Sequence, residues 1–347
     1  MVDLSWNNKG NKTNKTHPEK FHSFRTIKGS EESSWSNKLF WGDNFDVLQF
    51  LMPQFNNSVD LIYVDPPFFT GSNYHIKIQN DGQDIESIAY QDHWNNDLDS
   101  YLQMLYERIV LFKKLMSKKG LLFIHLDWHA SHYVRVILDE IFGATRFVNV
   151  IVWYYYNKYS AGKKTLPRAH DDILVYSNSD EYELNEVRIP RDKPVKQLKR
   201  VMVDGVLKNV KDKNGHVIYR IVKDKKMDDV WRIPCLQPAS KEWTGFPTQK
   251  HHDLLNRIIK IGSDEGDLIA DFFCGSGTTL LVAEKLNRRW IGSDISKYAI
   301  NICSNRLNKL ANKGGLHHSY DIYTKETPDT TSLIESGFFD QEIKLKR

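Results

Sequence analysis

The run LIADFFCGSGTTL, Leu268–Leu280, constrains the fold more than any other stretch of the chain. A short apolar strand ends at an acidic residue, two glycines let the backbone turn tightly, and a helix-compatible segment starts at Thr278. A second apolar strand, LIYV at 61–64, runs into an equally unusual turn, Asp65-Pro66-Pro67-Phe68. Strands that are apolar throughout are buried on both faces, and strands alternating with helices imply parallel pairing. The chain therefore reads as an α/β protein with a doubly wound, mostly parallel sheet.

Residues 1–34, rich in Asn, Lys, Ser and Thr without periodicity, read as a mobile tail. Leu39–Trp41 reads as a short strand stopping at Gly42-Asp43-Asn44, and apolar residues at Phe45, Leu48, Leu51 and Met52 predict a helix ended by Pro53. The polar stretch Thr70–Asp97 has the length of a functional loop. Tyr101–Met116 and Ala130–Phe142 carry helical spacing, and Leu121–Leu126 and Phe147–Tyr155 read as strands. From about Asp180 to Trp231 the pattern breaks. Two turn signals there, Asp204-Gly205 and Asn214-Gly215, sit between β-rich flanks and mark a small antiparallel insert. Alternation then resumes with a helix after Lys250, the strand Leu268–Phe272, a helix over Thr278–Leu286 and the strand Trp290–Ser293. The expected divisions are a tail (1–34), the first half of one domain (35–180), an inserted β-rich region (181–235), the second half of that domain (236–325) and a C-terminal extension (326–347).

Composition narrows the classes. Of 347 residues, 40% are hydrophobic and 27% charged, as in soluble globular proteins. No apolar run reaches membrane-span length and the N-terminus lacks a signal-peptide core, so a cytoplasmic protein without a membrane partner is expected. Three scattered cysteines, Cys235, Cys274 and Cys303, suggest neither disulfides nor zinc, and no metal is expected. The net charge of +4 is unevenly spread: Arg188–Lys226 holds 13 Lys and Arg against 4 Asp.

The glycine turn is a candidate ligand site. Its glycines, Gly275 and Gly277, permit close approach, and the following helix N-terminus offers free N–H groups to an anion. Asp294, at the end of the next strand and 17 residues beyond Gly277, can accept both hydroxyls of a ribose. The dinucleotide pattern fails because Leu280 occupies its third glycine position, and no Walker lysine follows. The expected ligand has a ribose and a carboxylate but no pyrophosphate, which describes S-adenosylmethionine. The acidic turn suits a different task. The exocyclic amine of adenine or cytosine is a poor nucleophile because its lone pair is delocalised into the ring. Asp65 and the carbonyl of Pro66 can accept its two N–H bonds, Pro66 and Pro67 stiffen the turn, and Phe68 can stack on the base.

The pair DPPF and DFFCGSGTT resembles the motifs of amino DNA methyltransferases, in the β-group order, where the catalytic motif precedes the cofactor motif. The series DPPFFTG, GLLFIHLDW, FVNVIVWYYY and HDDILVYS is similar to adenine methylases of the type III modification-subunit kind. Phe272 and Phe68 depart from the proline and tyrosine common at those positions. The resemblance implies that cofactor and base meet in one crevice. It implies cofactor contacts from Asp271, Phe273, Gly275, Ser276, Gly277, Thr278 and Asp294, from Asp65, from Thr248, Gln249 and Lys250 in an extra cofactor segment, and from Asp43. It makes the basic insert a target-recognition region, with Lys196, Lys199 and Arg200, together with Lys163, Lys164 and Arg168, on duplex DNA. It also allows a cognate restriction endonuclease and a homodimer as partners. The implied reaction is transfer of the methyl group of S-adenosylmethionine to adenine N6, with the base flipped out of the duplex and attacking directly; Asp rather than Ser opening the motif favours adenine over cytosine N4.

Other residues carry blander expectations. Pro234-Cys235 lies outside both motifs, and amine methylation needs no covalent nucleophile. Cys274 reads as a packing residue. His125, His129 and His132 read as a solvated helix face, and Trp153–Tyr156 as core with one aromatic near a base. A nicotinamide oxidoreductase would leave DPPF unexplained, and an idle DNA-binding subunit would not need both motifs intact.

Overall fold

A computed structural model describes residues 4–7, 9–10, 19–30, 34–80, 83–92, 94, 97–158 and 164–345. The chain divides into two compact units, residues 185–228 and the remainder.

In the larger unit, β1 (His22–Ile27), β2 (Ser36–Trp41), α1 (Asn44–Phe55) and β3 (Val59–Val64) lead into the hairpin β4 (Asn73–Asn80) and β5 (Gln83–Gln91). Next come α2 (Leu98–Leu115), β6 (Met116–Leu126), α3 (Ser131–Phe142), β7 (Phe147–Tyr154) and β8 (His170–Ser177). The smaller unit holds β9 (Arg188–Leu198), β10 (Arg200–Val203), β11 (Val206–Asn209) and β12 (Tyr219–Lys226). The larger unit resumes with β13 (Val230–Arg232), α4 (His252–Gly262), β14 (Leu268–Asp271), α5 (Thr278–Lys285), β15 (Arg289–Asp294), α6 (Lys297–Ala311), β16 (Ser319–Thr324), α7 (Pro328–Glu335) and β17 (Lys344–Leu345).

Ten strands form one sheet in the order β1-β16-β2-β15-β14-β3-β6-β8-β7-β13. Its central pairs, from β16 to β6, are parallel, whereas β1 with β16 and β8 with both β6 and β7 are antiparallel. Every residue of β3 and β14 is buried, which explains the apolar runs Leu61–Val64 and Leu268–Ala270. Crossovers through α1, α2 and α3 run in one direction along the sheet, and those through α5 and α6 run in the other. Right-handed connections of opposite direction place their helices on opposite faces.

Several expectations need correction. Residues 1–34 are not a tail throughout: β1 joins the main sheet, Phe21 is buried against Phe40 and Phe50, and Trp6 packs edge-on against Tyr106 of α2. Aromatic anchors spaced too far apart for periodicity hold this segment. Pro53 does not end α1, which continues to Phe55; Pro53 cannot donate to the carbonyl of Gln49, and the helix stops two residues later. Thr70–Asp97 is a hairpin whose strand β4 also pairs with β17. In the smaller unit, Asp204 and Gly205 have φ of 52° and 74° and close β10 on β11. The Asn214-Gly215 turn closes only a single bridge, Lys211 to Val217, and the principal partner of β12 is β9.

Gly29 tests the N-terminal correction, because a Cβ there would fall on the backbone of His317 and His318 beside β16. Gly29→Ala is expected to lower stability by about 1–3 kcal/mol in urea unfolding. An unchanged midpoint would mean that the segment is a tail after all.

Candidate active site

The parallel pair β3–β14 builds the site. Ile62 lies opposite Ala270, so the Asp65 turn and the Asp271 turn leave the same edge of adjacent strands. The chain departs from these two strands in opposite directions, which opens a crevice at their carboxyl ends. A cavity of about 600 Å³ fills it, within the range of small-molecule sites. Asp43, Asp65, Pro66, Pro67, Phe68, Thr248, Gln249, Lys250, Asp271, Phe273, Gly275, Ser276, Thr278 and Asp294 all line it.

Gly277 is the exception among the cofactor candidates. At φ +77° it packs on Cys303 of α6, where a Cβ would collide with the thiol, so it shapes the turn from behind. Gly275, at φ +50°, faces the ring of Phe246 and donates its N–H to Asp294 Oδ2 at 2.8 Å. Asp294 Oδ1 accepts from Ser296 N at 2.8 Å. Burial pushes the Asp294 carboxyl up to about 6, against the opposing effect of these backbone donors. Burial likewise pushes Asp271 up to about 7, although Thr279 Oγ1 and Phe273 N donate to it. The neighbouring Cys303 thiol and burial together raise the Cys274 thiol well above its ordinary range, so Cys274 packs rather than reacts.

Asp43 caps α1 by accepting from Phe45 N at 2.9 Å and pairs with Arg108 at 3.2 Å. Arg108 also donates to Asn44, whose amide bonds the carbonyl of Phe272 at 2.8 Å, tying the Asp43 turn to the glycine turn.

The acidic turn is held from several sides. Buried Asp92, at the end of the β4–β5 hairpin, accepts from Phe69 N at 2.9 Å, Thr70 N at 2.8 Å and Thr70 Oγ1 at 2.6 Å. Tyr101 donates to the carbonyl of Pro67 at 2.8 Å. Asp65 Oδ2 pairs with Lys250, whose ammonium also lies 5.3 Å from the centre of the Phe68 ring. Asp65 Oδ1 is sealed from solvent without a hydrogen-bond partner among the described residues. Lys250 thus meets the acidic turn itself, a role beyond the expected cofactor binding. Tyr74 and Tyr90 from the hairpin stack at 4.6 Å on the cavity wall, with Tyr90 donating to Thr248 at 3.3 Å.

His125 is not on a solvated helix face. It is fully buried on β6, with Tyr63, Asp65 and Asp171 around it. Its place inside the apolar run LLFIHL was the signal for burial. His129 instead bonds Asp127 at 2.7 Å, and no metal-binding cluster occurs among the described residues. Trp153 and Tyr155 are buried, Tyr154 and Tyr156 exposed. Burial pushes the Cys235 thiol up to about 11, which disfavours a nucleophilic thiolate.

In the smaller unit, Lys199 and Arg200 are exposed and Lys196 lies 4.5 Å over the Tyr219 ring. In the larger unit Lys164 is exposed and Arg168 stacks at 3.9 Å on the exposed ring of Trp128; neither lines the cavity. Lys163 lies outside the described residues.

Residues 59–305 match the DNA methylase family of N6 and N4 methyltransferases. The chain belongs to this family. It is 26% identical to the type II methyltransferase M.EcaI of Enterobacter cloacae, over 76% of this chain and 67% of that protein. It is 29% identical to the DNA adenine methyltransferase YhdJ of Escherichia coli K12, over 72% of this chain and 76% of that protein. The crystal structure of the M1.HpyAVI-SAM complex shares the fold, with a TM-score of 0.52 at 20% identity over 78% of this chain and 98% of that one. The methylase therefore acts on DNA with S-adenosylmethionine as methyl donor. The cavity suits that cofactor: it is lined by the carboxylates of Asp65, Asp271 and Asp294, whose charge complements a cationic ligand, and by the turn before the N-terminus of α5, which favours an anionic group. Among the described residues no helix is long and apolar enough to cross a membrane.

Asp294→Ala is expected to weaken S-adenosylmethionine binding by about 1.5–3 kcal/mol in calorimetry, the range for hydrogen bonds to a charged group. Wild-type affinity should also fall as pH drops through about 6, because protonation of Asp294 removes the charged acceptor. A pH-independent affinity would separate Asp294 from the ribose.

Proposed function

We propose that the methylase transfers the methyl of S-adenosylmethionine to the N6 amine of adenine at a specific duplex sequence, with the target base rotated out of the helix into the cavity. The observation that carries this reading is Asp65 Oδ1, a buried acceptor without a hydrogen-bond partner among the described residues, beside the Phe68 ring and one strand from the cofactor turn. Asp65 and the Pro66 carbonyl accept the two N–H bonds of the amine and draw its nitrogen toward tetrahedral geometry. Phe68 stacks on the base, and Lys250, bound to Oδ2, leaves Oδ1 for the amine. The name of the YhdJ relative favours adenine over cytosine N4. The reading extends to a cytoplasmic enzyme, to a homodimer, and to a partner nuclease of the same specificity, which the type II name of M.EcaI favours.

Asp65→Ala is expected to lower transfer of labelled methyl to DNA by on the order of 10²-fold or more while cofactor affinity persists. Retention of more than about a tenth of the rate would remove Asp65 from this role.

Residues 185–228 are proposed to bind DNA. Their cations are exposed, and the unit has its own backbone hydrogen bonds, such as Lys199 N to Ile218 O at 2.8 Å. Neutralising Lys196, Lys199 and Arg200 together should weaken DNA binding without changing cofactor affinity. The slope of log K against log salt should become shallower by about 0.9 for every phosphate that the variant no longer neutralises. An unchanged slope with unchanged affinity would leave these charges as surface solvation alone.

A further inference from the structure

Behind the acidic turn lies a buried chain of polar groups that methyl transfer as described so far does not use. His125 is fully enclosed on β6. Its Nδ1 lies 3.1 Å from the Tyr63 hydroxyl and 3.5 Å from Asp65 Oδ1, and its Nε2 lies 3.4 Å from Asp171 Oδ2 on β8. Asp171 Oδ1 accepts from the Tyr155 hydroxyl at 3.1 Å. Two aromatic rings complete the enclosure, Phe68 at 5.4 Å and Trp153 edge-on at 5.3 Å. The carboxylates at the two ends, Asp65 and Asp171, are each about one-seventh exposed, at 15% and 14% of the side chain. The imidazole thus sits between two acids, each of which reaches the surface of this buried cluster. A histidine serving packing alone would not need a carboxylate at each nitrogen, one of them the residue that receives the amine.

The reaction creates a need for such a chain. As the N6–CH3 bond forms and the S–CH3 bond breaks, the exocyclic nitrogen gains positive charge and must release one proton. The N–H electron pair returns to the nitrogen and the ring. Asp65 Oδ1 is the first acceptor, but a carboxylate is ordinarily a weaker base than an imidazole, by about 2.6 units. A proton left on Asp65 would also remove the charge that orients the next amine.

We propose that His125, backed by Asp171, takes this proton from Asp65 and so returns the catalytic carboxylate to its charged form. In the receptive state His125 donates Nε2–H to Asp171 and keeps Nδ1 bare. On receiving the proton at Nδ1 it becomes an imidazolium between Asp65 and Asp171, and the Tyr63 hydroxyl turns from donor to acceptor. Burial raises the Tyr63 hydroxyl well above its ordinary range, which keeps its own proton in place. Asp171, 14% exposed, steadies the imidazolium through Nε2–H, and the surplus proton leaves Nδ1 for water that enters the cavity once the methylated base has left, which restores the receptive state. The charged and titratable groups around this path are Asp65, Asp171, Asp127, Asp271 and Cys235, with Lys250 on Asp65 Oδ2. His125 and Asp171 are positioning residues, since they act on the substrate only through Asp65. The proposal rests on the reading that Asp65 receives the amine.

Single-turnover methyl transfer to duplex DNA across a pH series tests it, with S-adenosylmethionine and DNA affinities measured alongside. His125→Gln is expected to slow transfer by on the order of 10²-fold, within the span of general acid–base effects, with both affinities within about twofold of wild type. At saturating S-adenosylmethionine and DNA, the pH dependence of the transfer rate should differ between the wild type and the variant. Asp171→Asn, nearly isosteric, should slow transfer by about tenfold in the same direction, and it decides the matter if His125→Gln does not fold. Asp65→Ala is the control. If that variant keeps its rate, the Asp65 reading itself fails. If it is inactive while His125→Gln and Asp171→Asn keep the wild-type rate and pH profile, the relay is overturned and the Asp65 reading stands. A slowed His125→Gln whose pH dependence matches that of the wild type likewise overturns the relay, since a merely structural histidine would behave in that way.

Discussion

Parallel pairing of β3 with β14 is the constraint on which the rest depends. Hydrogen bonds between these fully buried strands set Ile62 against Ala270, and that register alone brings an acidic turn and a glycine turn to the same edge. The two turns are about 200 residues apart in the chain, yet their strands are neighbours at the centre of the sheet. Chain order is therefore free to place either motif first, because the crevice is created by strand adjacency and by the opposite directions of the crossovers. A slip in this pairing would separate acceptor from cofactor turn without changing one side chain.

The crevice concentrates carboxylates under controlled conditions. Asp271 is buried and Asp294 half-buried, and each is stabilised by backbone or hydroxyl donors rather than by a cation. Desolvation still dominates, which is why both carboxyls titrate far above their ordinary range. Asp65 is treated differently, with Lys250 on one oxygen and the other left open. In the proposed reaction the same chemical group serves two purposes in one cavity, ligand binding where backbone donors surround it and amine orientation where a single cation fixes it. Asp92, distant in sequence from both motifs, keeps the acidic turn rigid by taking the N–H groups of Phe69 and Thr70.

Chemistry and the proposed recognition are built from different kinds of structure. The catalytic unit rests on a long parallel sheet whose non-local pairing buries its strands on both faces. Residues 185–228 close on themselves through β9–β12 and β10–β11 and expose most of their side chains. A unit of that size gains little from burial, so its surface composition can change without loss of the core. A density of cations can be carried there that the buried crevice could not accept.

Much of this protein was written locally. The apolar runs of β3 and β14, the glycines before α5, the turn chemistry of Asp204-Gly205 and the spacing of α2 and α3 all report short-range physics, and they led to the α/β fold, both motifs and the insert. Long-range pairing left weaker traces. The N-terminal strand was missed because its anchors, Trp6 and Phe21, show no period, and the hairpin at residues 73–91 was missed because its few buried apolar residues, such as Ile76, Ile78 and Ala89, are outnumbered by polar ones. The roles of Arg108, Asp92 and His125 lay beyond reach for a further reason. A sequence states which residues can ionise, whereas which of them share a buried site depends on strand order and register. The sequence by itself determined the kinds of chemistry available to this chain. Only the tertiary structure decided which carboxylate is paired, which is left open and which histidine stands behind it, because desolvation and hydrogen-bond distance exist only once the strands are in place.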